Sequence, residues 1–180
     1  MTGWSSRIAL LLIAGLLVPA CDSGGSKGAS SSPTSSKFSD PDIETFPNEG
    51  QLHVPVGTVI DYHTDPPTSG PHYPDPQPGG YYNQEIAAGF LVHSMEHGGV
   101  ILYQNGTLSG PQRDHLRQLA SEHPGLLAQV VVVPRDDATY PIILTAWTHR
   151  LRLTVYDASR IDGFLTLFLG QGPENALHTD

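Results

Sequence analysis

The chain from about residue 43 onward alternates short apolar runs with two segments whose apolar residues recur at helical spacing. Strand-like runs with β-branched residues occupy residues 53–62, 99–103, 129–133 and 141–155. Helical spacing is found at residues 111–122 and 157–169. Because strands and helices interleave, the pattern predicts an α+β fold with one small mixed or antiparallel sheet and two main helices packed on it.

Turn-forming residues separate these elements. Asp157 stands where an N-cap residue would begin the second helix, and Gly170 stands where that helix would end. Prolines are spread through residues 65–80, which is incompatible with a regular strand ladder. The sequence therefore predicts a long proline-rich loop between the first two strand-like runs.

A separate apolar run, residues 8–18, follows Arg7 near the N-terminus. As a helix it would extend about 16 Å, which is too short for the roughly 30 Å core of a bilayer. A basic residue, a short apolar run and small residues before a cleavage point are typical of a secretory signal peptide, here residues 1–20. The segment ending in Cys21 resembles a bacterial lipobox, so we expect Cys21 to carry a lipid after cleavage. The alternative is an ordinary signal peptide with an incidental cysteine.

These features predict a lipoprotein held at the extracytoplasmic face of the cell membrane by acyl chains such as palmitate. Residues 21–42 are rich in Ser and Gly and are expected to form a flexible tether, because they bury too little apolar surface to offset the cost of ordering. Residues 43–172 would form a single globular domain. Residues 173–180 would form a disordered tail.

Composition excludes several classes of function. The chain has 180 residues, one cysteine and a formal net charge of −9 at pH 7. A single cysteine excludes an internal disulfide, a CxxC redox pair and any multi-cysteine zinc or iron–sulfur site. The acidic balance, with no basic run, argues against nucleic acid as a partner. The nine histidines are therefore the main candidates for catalytic or metal-binding residues.

The most informative chemical pattern is His-x-x-Glu-His at residues 93–97. In a helix, His93 and His97 would share one face with Glu96 beside them, close enough to hold one metal ion. Inverzincin peptidases use this order of residues, with two zinc-binding imidazoles and a carboxylate that activates water. In a strand, the two histidines would lie about 13 Å apart and could not share an ion. The Gly98-Gly99 pair limits any helix here to about two turns.

A third ligand could come from the proline-rich loop. Prolines flank His72, and they lower the entropic cost of holding a ligand in place. The set His72, His93, Glu96 and His97 would suit zinc or copper, and Met95 adds a weak sulfur ligand. The alternative is that these histidines hydrogen-bond backbone groups and fix the loop against the sheet.

These residues also carry a resemblance to a known family. The segments that carry it are Asp61-Tyr62, the run Pro66-Pro67-Thr68-Ser69-Gly70-Pro71-His72-Tyr73, the run from His93 to Val100, and Thr145-Ala146-Trp147. Together they resemble domain-of-unknown-function family 3105, over about residues 50–172. The resemblance implies an exported or membrane-tethered protein and implies no activity. Six other histidines lie outside the motifs. His115 and His123 fall on or just after an exposed helix face and are expected to be solvated, and the remaining four are not assigned to a site: His53, His63, His149 and His178.

Three functions are compatible with the sequence. The first is a lipid-anchored extracytoplasmic domain that binds a divalent transition metal through the His/Glu cluster. The second is a non-catalytic envelope or partner-binding module with structural histidines. The third is a zinc-dependent hydrolase with Glu96 as general base. The sequence does not decide whether the protein is an enzyme, and it names no substrate or protein partner.

Overall fold

A computed structural model describes residues 38–174 of the chain. The predicted signal peptide, Cys21, all but the last five residues of the predicted tether, and residues 175–180 lie outside the described residues. None of the helices within residues 38–174 has both the length and the apolar character needed to cross a bilayer.

One mixed sheet of six strands organises these residues. In chain order the strands are β1 (Glu44–Thr45), β2 (Gly80–Tyr81), β3 (Val100–Gln104), β4 (Val130–Pro134), β5 (Ile142–Ala146) and β6 (His149–Leu153). They lie side by side in the order β1-β6-β5-β3-β4-β2. The β4 strand pairs in parallel with β2 and β3, whereas β3–β5, β5–β6 and β6–β1 are antiparallel. The predicted α+β fold with a single sheet is therefore confirmed, and the sheet is mixed.

Three helices cover the two faces of the sheet: α1 (Ala88–Glu96), α2 (Gly110–Glu122) and α3 (Ala158–Phe168). Alternate residues of β3 point in opposite directions. Val100 and Leu102 pack with residues of α2 and α3, whereas Ile101 and Tyr103 pack with residues of α1. Every residue of β3 is buried, as expected for a strand covered on both faces.

The helix termini follow the sequence signals closely. Ser109 and Gln112 form a capping box at the start of α2, where Pro111 occupies the first turn. The side chain of Asp157 accepts a hydrogen bond from the backbone N–H of Arg160, which makes it the predicted N-cap of α3. The helix α1 adds a third helix to the two predicted ones, in the segment where the sequence left helix and strand open.

Two strand expectations need correction. Residues 53–62 contain no strand, only an isolated bridge between His53 and His72. Residues 141–155 form a hairpin of two strands rather than one run, and its turn contains Trp147 and Thr148. Thr148 has a positive φ of 61°, a tight-turn conformation that apolar patterning does not reveal.

The folded part begins before the position where composition becomes globular. Arg160 on α3 pairs with Asp40 and Asp42, at distances of 2.6 and 2.8 Å. The hydrogen bonds from Arg160 hold the pKa of Asp40 below its ordinary value. Residues 38–42, which the sequence assigned to the tether, thus contact the helix α3.

Candidate metal centre

The helix α1 and its C-cap residue, His97, carry the two histidines and the glutamate of the His-x-x-Glu-His pattern. Leu91, Val92 and Met95 are buried in the apolar cluster under the sheet and hold one side of the helix against it. His93 and Glu96, one turn apart, are also buried. The helix ends at Glu96, and Gly98 has a positive φ of 80° that lets the chain turn into β3.

The proline-rich loop, residues 65–80, lies against α1 through backbone and hydroxyl contacts. The backbone N–H of Tyr73 donates to Gly89 O at 3.2 Å, and that of Gln77 donates to the Ser94 hydroxyl at 2.9 Å. The Ser94 hydroxyl donates in turn towards Gln77 O at 3.0 Å. These contacts set the loop beside the helix and place His72 opposite Glu96.

A second extended segment adds His53. The backbone N–H of His72 donates to Leu52 O at 2.9 Å, and that of Val54 donates to His72 O at 2.8 Å. This two-residue bridge aligns His53 with His72, with their ring centroids 4.8 Å apart. The side chain of His53 is 48% exposed, so the cluster meets solvent on this side.

Four side chains converge to form what we call the inner group: His53, His72, His93 and Glu96. One ligand atom from each lies within 4.8 Å of all the others. From Glu96 Oε2, the Nε2 atom lies 2.9 Å away in His72, 3.7 Å in His53 and 4.0 Å in His93. Ligands of a tetrahedral zinc ion stand about 3.3 Å apart, so the separations fit one ion.

Backbone carbonyl oxygens fix the orientation of the His72 and His93 rings. His72 Nδ1 lies 2.8 Å from Gly70 O, and His93 Nδ1 lies 2.6 Å from Tyr73 O. A carbonyl oxygen only accepts, so each Nδ1 carries the proton and donates. In the neutral rings the Nε2 atoms are then unprotonated. That of His72 lies 2.9 Å from Glu96 Oε2, and that of His93 accepts a hydrogen bond from His97 Nε2 at 2.8 Å. This is the arrangement by which proteins orient metal-ligating histidines.

The inner group leaves buried polar atoms unpaired. His72 Nε2 and Glu96 Oε2 are only 2.9 Å apart, yet neither has a hydrogen-bond partner of acceptable geometry. Both side chains are essentially inaccessible to solvent. Burial lowers the pKa of His93, opposed by its hydrogen bond to Tyr73 O, so this ring stays neutral at neutral pH.

His97 belongs to a second, overlapping set that we call the outer group: Glu96, His97 and Glu174. His97 Nε2 lies 2.8 Å from His93 Nε2 and 3.9 Å from Glu174 Oε2. The side chain of His97 is 22% exposed and that of Glu174 is 56% exposed. The outer group therefore extends from the buried Glu96 side chain to the protein surface.

The structure thus brings all four sequence-predicted ligands to one place. His72, His93 and Glu96 are in the inner group, and His97 is in the outer group. Residues 88–96 form a helix and not a strand, and the Nε2 atoms of His93 and His97 lie 2.8 Å apart. Met95 is fully buried with Leu91 and Val92 in the apolar cluster, and its role as a weak sulfur ligand stays a prediction.

Two residues of the site were missed by sequence reasoning. His53 was left unassigned, and Glu174 fell within the predicted disordered tail. Neither carries a local signal, because each reaches the site through backbone pairing with a distant segment. His63, by contrast, lies apart from the site, where its exposed ring meets Glu49 at 3.1 Å.

A separate cavity of about 420 Å³ lies between the proline-rich loop, the start of α1 and the ends of β3 and β4. Its lining includes Tyr62, Leu91, Tyr103 and Arg135. Burial raises the pKa of Tyr103. No residue of the inner or outer group lines this cavity, so it is distinct from the candidate metal centre.

The residues of the candidate centre lie in a region that matches a known protein family. The family model described as "Protein of unknown function (DUF3105)" matches residues 53–180. The chain belongs to the DUF3105 family. This confirms the family resemblance read from the motifs. No curated protein and no solved structure matches the chain significantly.

The DUF3105 region includes every residue of the candidate centre. It begins at His53, the exposed member of the inner group, and it extends past Glu174, the exposed member of the outer group. The metal-centre geometry thus lies within the family domain rather than in the N-terminal segment. The family description itself names no activity.

Proposed function

We propose that this DUF3105 protein binds a divalent transition metal through the inner group, His53, His72, His93 and Glu96. The observation that carries the proposal is the close approach of His72 Nε2 and Glu96 Oε2, at 2.9 Å with no hydrogen bond between them. Two buried acceptors held this near to each other call for a cation between or beside them.

The fixed tautomers strengthen this argument. His72 and His93 use their Nδ1 protons on backbone carbonyls, so both Nε2 atoms keep a lone pair, and both lie within 4.0 Å of Glu96 Oε2. Without a cation, the His72 Nε2 lone pair and the carboxylate of Glu96 repel each other in a region with little water. A metal ion turns the repulsion into coordination, and the carbonyls that hold the rings then support the ligands.

The donor set favours zinc or copper. Imidazole nitrogen suits both metals, and one carboxylate completes a four-ligand site. We do not assign the Met95 thioether as a ligand, because this side chain is packed in the apolar core. Three nitrogens and one oxygen are therefore the ligands we assign.

Two further readings carry less support. The backbone hydrogen bonds of His72 and His93 fit a purely structural role, but they leave His72 Nε2 and Glu96 Oε2 buried without a hydrogen-bond partner. A hydrolase would need Glu96 to face a substrate across a metal-bound water. Instead, Glu96 is 1% exposed and its Oε2 points among the histidines, which supports a ligand role.

Location is part of the proposal. The apolar run at residues 8–18 and the lipobox-like segment before Cys21 support an extracytoplasmic lipoprotein, anchored to the membrane by its lipid. Expression in a bacterium fed a clickable palmitate analogue tests this. We expect label on the wild type and none on Cys21→Ser, and label on neither would contradict the anchor.

Metal binding is tested on the full-length protein, purified in detergent without a polyhistidine tag. We expect stoichiometric zinc or copper in the wild type by elemental mass spectrometry, and strong loss in His72→Ala and His93→Ala. The control His63→Ala removes a histidine that pairs with Glu49 outside the site. Absence of metal from the wild type after incubation with zinc and with copper would refute the proposal.

A thermal melt separates the structural reading. If the histidines only brace the loop, His72→Ala lowers the melting temperature equally with and without a chelator. If they bind metal, the chelator lowers the melting temperature of the wild type and has little further effect on His72→Ala.

A further inference from the structure

The inner and outer groups share one side chain, Glu96. Its carboxylate lies among the inner histidines, and it also lies within 4.8 Å of a ligand atom of His97 and of Glu174. The nitrogen atoms that face each other across the two groups, His93 Nε2 and His97 Nε2, are 2.8 Å apart. Two neighbouring sets of donors therefore meet at a common carboxylate.

The outer group depends on a segment that we call the strap, residues 170–174. The strap crosses the end of α1, where the backbone N–H of Gly170 donates to Gly98 O at 2.8 Å. The backbone N–H of Glu174 donates to the carbonyl oxygen of Glu96 at 3.0 Å. Backbone contacts thus fix the position of Glu174 beside His97.

Close packing of the strap requires glycine at its centre. A Cβ atom at Gly172 would overlap the carbonyl oxygen of Glu96 and the backbone nitrogen of Gly98. Only a residue without a side chain lets the two backbones approach this closely. The strap therefore packs directly against the end of α1, and it places the Glu174 carboxylate at the site.

We propose that the outer group, Glu96, His97 and Glu174, holds a second divalent metal ion, bridged to the first by the Glu96 carboxylate. This inference rests on the proposed function, since Glu96 is a ligand in both groups. Carboxylates that bridge two ions are a means of holding a two-metal centre. The inner position has three nitrogens and one oxygen, whereas the outer position has one nitrogen and two carboxylates.

The solvent exposure of the ligands determines which of the two metal positions fills first. Glu96 is 1% exposed, His97 22% and Glu174 56%, so the outer position opens to solvent. Its three protein ligands leave coordination positions for water. The outer ion binds more weakly than the inner one and is the first to be lost to a chelator.

Zinc titration of the full-length protein in detergent tests the second position, by calorimetry and by native mass spectrometry. We expect two zinc ions on the wild type and one on Glu174→Gln, with the tighter binding step unchanged. The control Asp136→Asn removes an exposed carboxylate between β4 and β5 and should retain both ions. With two copper(II) ions loaded, the wild type should show a spin-coupled electron paramagnetic resonance spectrum that Glu174→Gln lacks.

Several outcomes overturn the second position. One ion on the wild type, with the tight step weakened in His97→Ala, would make His97 a ligand of a single ion. Two ions retained on Glu174→Gln would place the weaker ion elsewhere on an acidic surface. No zinc or copper on any variant, in contrast, would refute the proposed function itself, so the two failures are distinguishable.

Discussion

His72 Nε2 lies 2.9 Å from Glu96 Oε2, and both side chains are withdrawn from solvent. The two residues come from separate elements, the proline-rich loop and the last turn of α1. A histidine and a glutamate in such contact would ordinarily form a hydrogen-bonded ion pair. Here the geometry of a hydrogen bond is not met, so the contact depends on what else occupies the site.

Relative to the wild type, Glu96→Gln should not lower the stability of the metal-free protein but should lower that of the zinc-bound protein. In a chelator, the variant should melt at or above the wild-type temperature, because it removes a buried charge and its amide can donate to His72 Nε2. With zinc at about 100 times the dissociation constant, the wild type should gain about 2.7 kcal/mol and the variant almost nothing. Differential scanning fluorimetry with and without zinc measures both effects. A variant that is destabilised equally in both conditions would contradict the assignment of Glu96 as a ligand.

Met95→Leu should leave metal binding unchanged. The Met95 side chain is fully buried in the apolar cluster with Leu91 and Ile101. Leucine keeps nearly the same volume, so the loss of stability should stay below about 1.5 kcal/mol. Zinc and copper affinities of the purified variant check this, and a marked loss of copper affinity would restore the thioether as a ligand.

Gly172→Ala should displace the strap. The added methyl group would overlap the backbone at Glu96 and Gly98, and relieving such overlap costs about 1–3 kcal/mol. Gly110→Ala is the matched control, because a Cβ there meets no atom within 4 Å and the residue begins α2. Urea unfolding measures both variants. Equal stability of the two would show that the strap is not packed as described.

The ion pair at the sheet edge should make stability depend on pH. Hydrogen bonds from Arg150 hold the pKa of Glu44 below its ordinary value, with Arg152 adding to the effect. A lowered carboxyl pKa stabilises the fold above the ordinary value of 4.5, and the gain is lost as the pH falls through the lowered pKa.

Glu44→Gln tests this dependence. At pH 7 the variant should be less stable than the wild type by about 1–2 kcal/mol, since a charged hydrogen bond is lost at a partly exposed site. The difference should shrink steadily below about pH 4. Urea unfolding at a series of pH values measures it, with the exposed Glu85→Gln as control. A difference that does not change with pH would assign the effect to packing.

Local signals in the sequence predicted much of the fold. The capping residue Asp157, and the apolar runs of β3 and β4, act within a few residues of themselves. The strands β1 and β2 are two residues each and have no apolar run of their own. They exist only because β6 and β4 present free edges for pairing.

The same distinction holds at the candidate centre. His93, Glu96 and His97 could be placed together because one helix turn fixes their spacing. His53 joins through a backbone bridge to His72, and Glu174 through a backbone hydrogen bond to Glu96. Such pairing between distant segments has no periodicity, so a single sequence gives no means of finding it.

The inner group draws its ligands from three stretches of chain that follow one another: the segment at His53, the loop at His72 and the helix with His93 and Glu96. An ion bound there would close successive loops of about 20 residues and restrict the unfolded chain, as a cross-link does. The chain has one cysteine and cannot form an internal disulfide. The metal would thus act as the cross-link of this domain, one that a chelator removes and a reductant leaves intact.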